Sequence, residues 1–70
     1  MVSDVVGRNI KSLRKLEGWS QETLAAKLGC TRSAVSLYES GRISPKMSML
    51  EKLAALLGVS VAELVYNEPV

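Results

Sequence analysis

Apolar residues recur at intervals of three and four along nearly the whole chain, and most of the runs are broken by a glycine. That spacing is the signature of amphipathic helices. Val6, Ile10 and Leu13 share one helical face, with Val2, Val5 and Leu16 beside it. Ser3 stands at a capping position ahead of this run, and Gly18 follows it as a stop. Ser20 then caps a second helix predicted over Gln21 to Leu28. Glu22 lies in its first turn, where the helix dipole favours a negative charge. The inner face of this helix is Leu24, Ala25 and Leu28, and Gly29 ends it. Thr31 caps a third helix, Arg32 to about Tyr38, with Val35 and Tyr38 inward and Gly41 as the stop.

Arg42 to Lys46 forms a loop containing Pro45. A fourth helix, Met47 to Leu57, places Met47, Leu50, Leu53, Ala54 and Leu57 on one stripe, and Gly58 closes it. Ser60 and Glu63 have the spacing of a capping box for a short fifth helix containing Val61, Leu64 and Val65. The tail from Asn67 to Val70 is expected to fray. No alternating strand pattern competes. The expected fold is all-α: one domain over residues 1–70, a compact bundle of five short helices.

The second and third helices, joined by the turn Gly29-Cys30-Thr31, have the layout of a helix-turn-helix. Ala25 is small where the next helix crosses close to it. Gly29 takes a left-handed backbone at low cost. Cys30 suits a small buried hydrophobe in the turn. Trp19, Met47 and Met49 read as packing residues. The third helix then exposes Arg32, Ser33, Ser36 and Leu37, with Thr31 at its start.

Composition narrows the chemistry. With one Cys and no His, the chain lacks the residues for a zinc site, a Cys-His nucleophile or a His general base. No Gly-rich phosphate loop or carboxylate cluster appears, so no enzyme activity, metal or cofactor is expected. A single Cys fits a reducing compartment. The first ten residues hold Asp4 and Arg8 and no long apolar run, unlike a signal peptide. No stretch approaches the roughly 18 apolar residues that span a bilayer. No membrane association is expected, and the protein is read as cytoplasmic. Net charge is only +2, but it is unevenly spread. Residues 8–46 carry eight cations (Arg8, Lys11, Arg14, Lys15, Lys27, Arg32, Arg42, Lys46) against Glu17, Glu22 and Glu39. Residues 47–70 carry Lys52 against Glu51, Glu63 and Glu68. A one-sided basic field attracts polyanions, although scattered surface lysines would give the same sum.

Three segments together, IKSLRKLEGWSQETLAAKLG, CTRSAVSLYESGRISP and LEKLAALLGVSVAEL, resemble the phage lambda Cro/C1-type repressors, also called the XRE-type helix-turn-helix family. The resemblance covers residues 5–66, with small, glycine and apolar positions in register. It implies a five-helix, lambda-repressor-like domain, with the third helix in the major groove and a twofold homodimer on a pseudo-palindromic operator in double-stranded DNA. It implies a bacterial or phage-encoded transcription regulator of repressor or controller type, nucleoid-associated. With no second domain following, autoproteolytic or inducer-binding modules are not expected.

By position, the resemblance makes Thr31, Arg32, Ser33, Ser36 and Leu37 base-facing. Gln21, with Ser20 and the nearby backbone N–H groups, would hold a phosphate, a role the helix dipole suits independently. Arg42, Ser44 and Lys46 match a phosphate-touching loop. Arg14 and Glu39 match an internal ion pair. Val61, Glu63, Leu64 and Tyr66 match dimer contacts. Leu37 departs from the polar residue often found at its position, and suits a thymine methyl or no base at all. Lys46 stands where a Ser or Asp cap is frequent, which suits phosphate contact instead. The competing reading is an antitoxin-like or accessory protein-interaction module. The basic Arg32, Arg42 and Lys46 weigh against purely protein binding.

Overall fold

Five helices follow one another: α1 (Val2–Leu16), α2 (Gln21–Leu28), α3 (Arg32–Ser40), α4 (Met47–Leu57) and α5 (Val61–Tyr66). The computed structural model describes the backbone of residues 2–66 and the side chains of residues 4–66. The helical backbone of α1 already includes Ser3. The side chain of Ser3, expected as a cap, and the tail 67–70, expected to fray, lie outside the described residues. The third helix runs to Ser40, two residues beyond the expected end, before Gly41 stops it.

Each helix contributes one wholly buried aliphatic side chain to a common core: Ile10, Leu24, Val35, Leu53 and Leu64. Val6, Ala25, Leu28, Leu50, Ala54 and Leu57 complete it. Burying one such large aliphatic side chain contributes about 1.5–3 kcal/mol, so the shared core is a large part of what holds the five helices together. α1 packs on α3 and α5, α2 on α3, and α4 on α5.

Two residues set how closely α1 meets its neighbours. A Cβ added to Gly7 would lie 2.5 Å from the Tyr38 carbonyl oxygen and 2.6 Å from that of Glu39. Glycine is therefore what lets α1 cross the last turn of α3. Asn9 is buried, and its Nδ2 donates to the Leu64 carbonyl at 2.8 Å and to that of Glu63 at 3.5 Å. It satisfies carbonyls that end a helix, which have no partner within it, and ties α5 to α1.

Several side chains depart from the periodic reading. Met47 is 61% and Leu16 82% exposed. Each sits at a helix end, beyond where a neighbour covers the stripe. Tyr38, Cys30, Met49 and Trp19 are half-buried against the core. Leu64, matched above to a dimer contact, is wholly buried within its own chain. It is a core residue, because a six-residue helix offers one position that plugs the bundle, and Leu64 fills it. Among the described residues, no helix is long and apolar enough to cross a membrane.

Candidate nucleic-acid interface

The α2–turn–α3 unit is built by local hydrogen bonds. The Ser20 hydroxyl accepts from the Thr23 amide at 3.0 Å and pairs with the Thr23 hydroxyl at 2.9 Å. At the other end Gly29 has φ +75, and the Cys30 amide reaches back to the Ala25 carbonyl at 3.0 Å. A left-handed residue here turns the chain within three positions. Thr31 then opens α3, its hydroxyl accepting from the Ala34 amide at 3.1 Å. A side-chain cap of this kind contributes about 1 kcal/mol.

Of the positions expected to face bases, Arg32, Ser33, Ser36 and Leu37 line one open groove on α3. Arg32, Ser33 and Ser36 are exposed and Leu37 is half-buried. Val35, on another side of the same helix, is fully buried and anchors it. Thr31 is exposed beside them, its hydroxyl oxygen already engaged as the cap. The groove thus joins one long cationic donor, two short hydroxyls and one apolar wall. A guanidinium matches the O6 and N7 acceptors of guanine, and an apolar wall matches a thymine methyl.

The residues expected to meet phosphate fall at two loci. Ser20 and Gln21 stand at the start of α2. Arg42, Ser44 and Lys46 are exposed in the α3–α4 loop. That loop is held by the Arg42 and Ile43 amides, which donate to the Leu37 carbonyl at 3.1 and 3.4 Å, and by buried Pro45. Lys46 is the N-cap residue of α4, with no side-chain cap bond.

Arg14 and Glu39 form a nearly buried ion pair, Nε to Oε2 at 2.6 Å and Nη2 to Oε1 at 3.1 Å. Arg14 Nη1 also donates to the Trp19 carbonyl at 2.8 Å. The hydrogen bonds to Glu39 raise the Arg14 pKa above its ordinary value, with Coulombic attraction adding to them and desolvation opposing. The guanidinium therefore stays charged at any pH at which the protein would be handled. One contact had no local sequence signal: Gln21 Nε2 donates to Glu39 Oε1 at 3.0 Å, across 18 positions. Among the described residues, every buried side-chain polar atom has a partner. The Lys27 ammonium lies 4.8 Å from the centre of the Trp19 ring, a cation–π pair that shields one face of the indole.

On α5, Val61 is half-buried, and Glu63 and Tyr66 are exposed. The Glu63 carboxylate accepts from the Ser60 amide at 2.9 Å, and Ser60 Oγ accepts from the Glu63 amide at 3.0 Å. This is the reciprocal capping box that the sequence spacing predicts. Ile43 and Met47 are further large apolar side chains exposed outside the groove.

A family model described as Helix-turn-helix matches residues 10–64. The HTH-type transcriptional regulator PuuR of Escherichia coli (strain K12) is 36% identical over 63 residues, covering 90% of this chain and 34% of PuuR. The chain thus spans about a third of that relative's length. Among solved structures, the hypothetical transcription factor NHTF from Neisseria superposes with a TM-score of 0.86 at 38% identity, covering 93% of this chain and 75% of that one. The restriction-modification controller protein C.AhdI from Aeromonas hydrophila superposes with a TM-score of 0.81 at 35% identity, covering 89% of this chain and 94% of that one.

Proposed function

The chain belongs to the Cro/C1-type helix-turn-helix family of DNA-binding transcription regulators, and from that premise we propose that it reads a pseudo-palindromic operator as a homodimer, with α3 in the major groove. The observation that carries this reading is the α3 groove. Four side chains suited to base edges line it, and none of them is a carboxylate that a phosphate backbone would repel.

In this reading Arg32 contacts guanine, Ser33 and Ser36 contact bases near it, Leu37 packs on a thymine methyl, and Thr31 lies at the groove edge. Ser20 and Gln21 hold one stretch of phosphate, and Arg42, Ser44 and Lys46 hold another. Phosphate contacts fix the register and base contacts choose the sequence. One small domain makes few contacts, so a twofold pair on half-sites about 34–36 Å apart supplies the affinity. Val61, Glu63 and Tyr66 form the subunit contact, joined by Met47 and Ile43, whose apolar surface is otherwise uncovered. Similarity over 94% of C.AhdI supports a controller-type or repressor-type role.

Selection of bound sequences from random duplex DNA at moderate salt tests the reading. The expected result is an enriched palindrome with half-sites one helical turn apart, bound with steep salt dependence. Salt-sensitive binding without enrichment would overturn it in favour of a protein-partner module.

A further inference from the structure

Glu39 lies in the last turn of α3, seven residues and thus about two turns from Arg32. Its side chain is 4% exposed, and both of its oxygens are engaged. Oε2 accepts from Arg14 Nε at 2.6 Å, while Oε1 accepts from Arg14 Nη2 at 3.1 Å and from Gln21 Nε2 at 3.0 Å. Arg14 is itself tied to the α1–α2 turn through the Trp19 carbonyl. One carboxylate therefore joins α1, the first residue of α2 and the end of α3.

A carboxylate only accepts hydrogen bonds, so Glu39 selects the nitrogen of the Gln21 amide and holds it inward. That nitrogen carries two hydrogens, and Glu39 takes one. The other stays available to an outside acceptor, and Gln21 is the first residue of α2, where the first-turn amides also have no acceptor within the helix.

The geometry points to Glu39 as a positioning residue for DNA-backbone binding: it holds the Gln21 amide in the orientation that donates to a phosphate oxygen. The inference rests on the operator-binding reading above. Glu39 touches no DNA, and Arg14 neutralises the charge that would repel phosphate. An amide ordered before the encounter avoids the ordering cost at binding. Because Glu39 also belongs to α3, it fixes this donor relative to the helix that carries Arg32.

The test uses Glu39→Gln, which keeps the size but removes the charge and one acceptor. The first readout needs no DNA. In the wild-type protein, one Gln21 side-chain amide proton, assigned by its loss in Gln21→Ala, resonates downfield of exposed glutamines and exchanges slowly. In Glu39→Gln it moves to the position of exposed glutamines. The second readout is affinity for the selected operator in a double-mutant cycle, corrected for folded fraction by circular dichroism. Glu39→Gln lowers affinity roughly 2- to 12-fold in the wild-type background, the span expected for ordering one side chain. In the Gln21→Ala background it lowers affinity no further. A purely structural Glu39 would lower melting temperature in both backgrounds without this dependence on Gln21.

Equal affinity losses in the two backgrounds would overturn the inference. So would an unshifted Gln21 amide in the wild-type protein. If Glu39→Gln fails to fold, Glu39→Asp enters the same cycle, since it keeps the charge for Arg14 but withdraws the carboxylate by one methylene. A wild-type protein with the amide signature that binds no duplex would overturn the operator reading, and this inference with it, while leaving the contact itself established.

Discussion

α3 and α4 are close in length, nine and eleven residues, yet they are held in place by different forces. α4 buries Leu50, Leu53, Ala54 and Leu57. α3 buries one aliphatic residue, Val35, and spends Arg32, Ser33, Ser36 and Leu37 on an open groove. It makes up the deficit with polar and steric pins: the Thr31 cap, the close approach of Gly7, and the Glu39 carboxylate gripped by Arg14. α4, deep in aliphatic contacts, does without a side-chain cap at Lys46. A helix that presents its face to a partner gives up apolar burial, so directional contacts must place it. A helix fixed by its own aliphatic stripe needs no such direction.

The contrast breaks first at Arg14. Arg14→Ala leaves the Glu39 carboxylate buried without its ion partner, and stability to urea is expected to fall by about 3–5 kcal/mol. A loss under about 1 kcal/mol would mean that the pair behaves as a surface salt bridge and pins nothing. On the α4 side, Leu53→Ala should cost about 2–5 kcal/mol through lost burial and a residual cavity. Operator affinity of the folded fraction should hardly change, and a specific affinity loss would show that Leu53 acts on the DNA-binding surface as well as on the core.

Gly7→Ala probes the steric pin between α1 and α3. Helix propensity alone favours alanine by about 1 kcal/mol. The clash with the Tyr38 and Glu39 carbonyls should reverse that to a loss of about 1–3 kcal/mol. A gain in melting temperature would show that α1 and α3 are not in close contact there. The smallest effect is at Lys46. Lys46→Ser supplies the missing cap and should add about 1 kcal/mol of stability while weakening operator binding. Tighter binding by the variant would remove Lys46 from the phosphate contacts.

Most of the helix ends were legible in the sequence because capping is local. Ser20, Thr31 and the Ser60–Glu63 box each act within three residues, and the structure forms all three. Periodicity also identified the inner face of each helix. It could not say how far along a face the neighbours extend, so Met47 and Leu16 read as covered when they are not. Two further signals stand in the sequence. Gly7 lies mid-helix, where glycine is unfavourable unless something approaches closely. Asn9 is a polar residue in the register of Val6, Ile10 and Leu13, and it proves to hold the end of α5. The α3 groove was legible because its register follows from the helix start at Thr31. The Gln21–Glu39 contact was not, because only tertiary packing brings α2 and the end of α3 together.

If the exposed face of α3 chooses the DNA sequence, the affinity of Arg32→Ala for selected operator against random duplex reveals it. The expected result is a loss on operator of about 1–3 kcal/mol with relaxed preference at one base pair, a smaller loss on random duplex, and unchanged melting temperature. An equal loss on both DNAs would contradict base readout by Arg32, and with it the assignment of α3 as the reading helix.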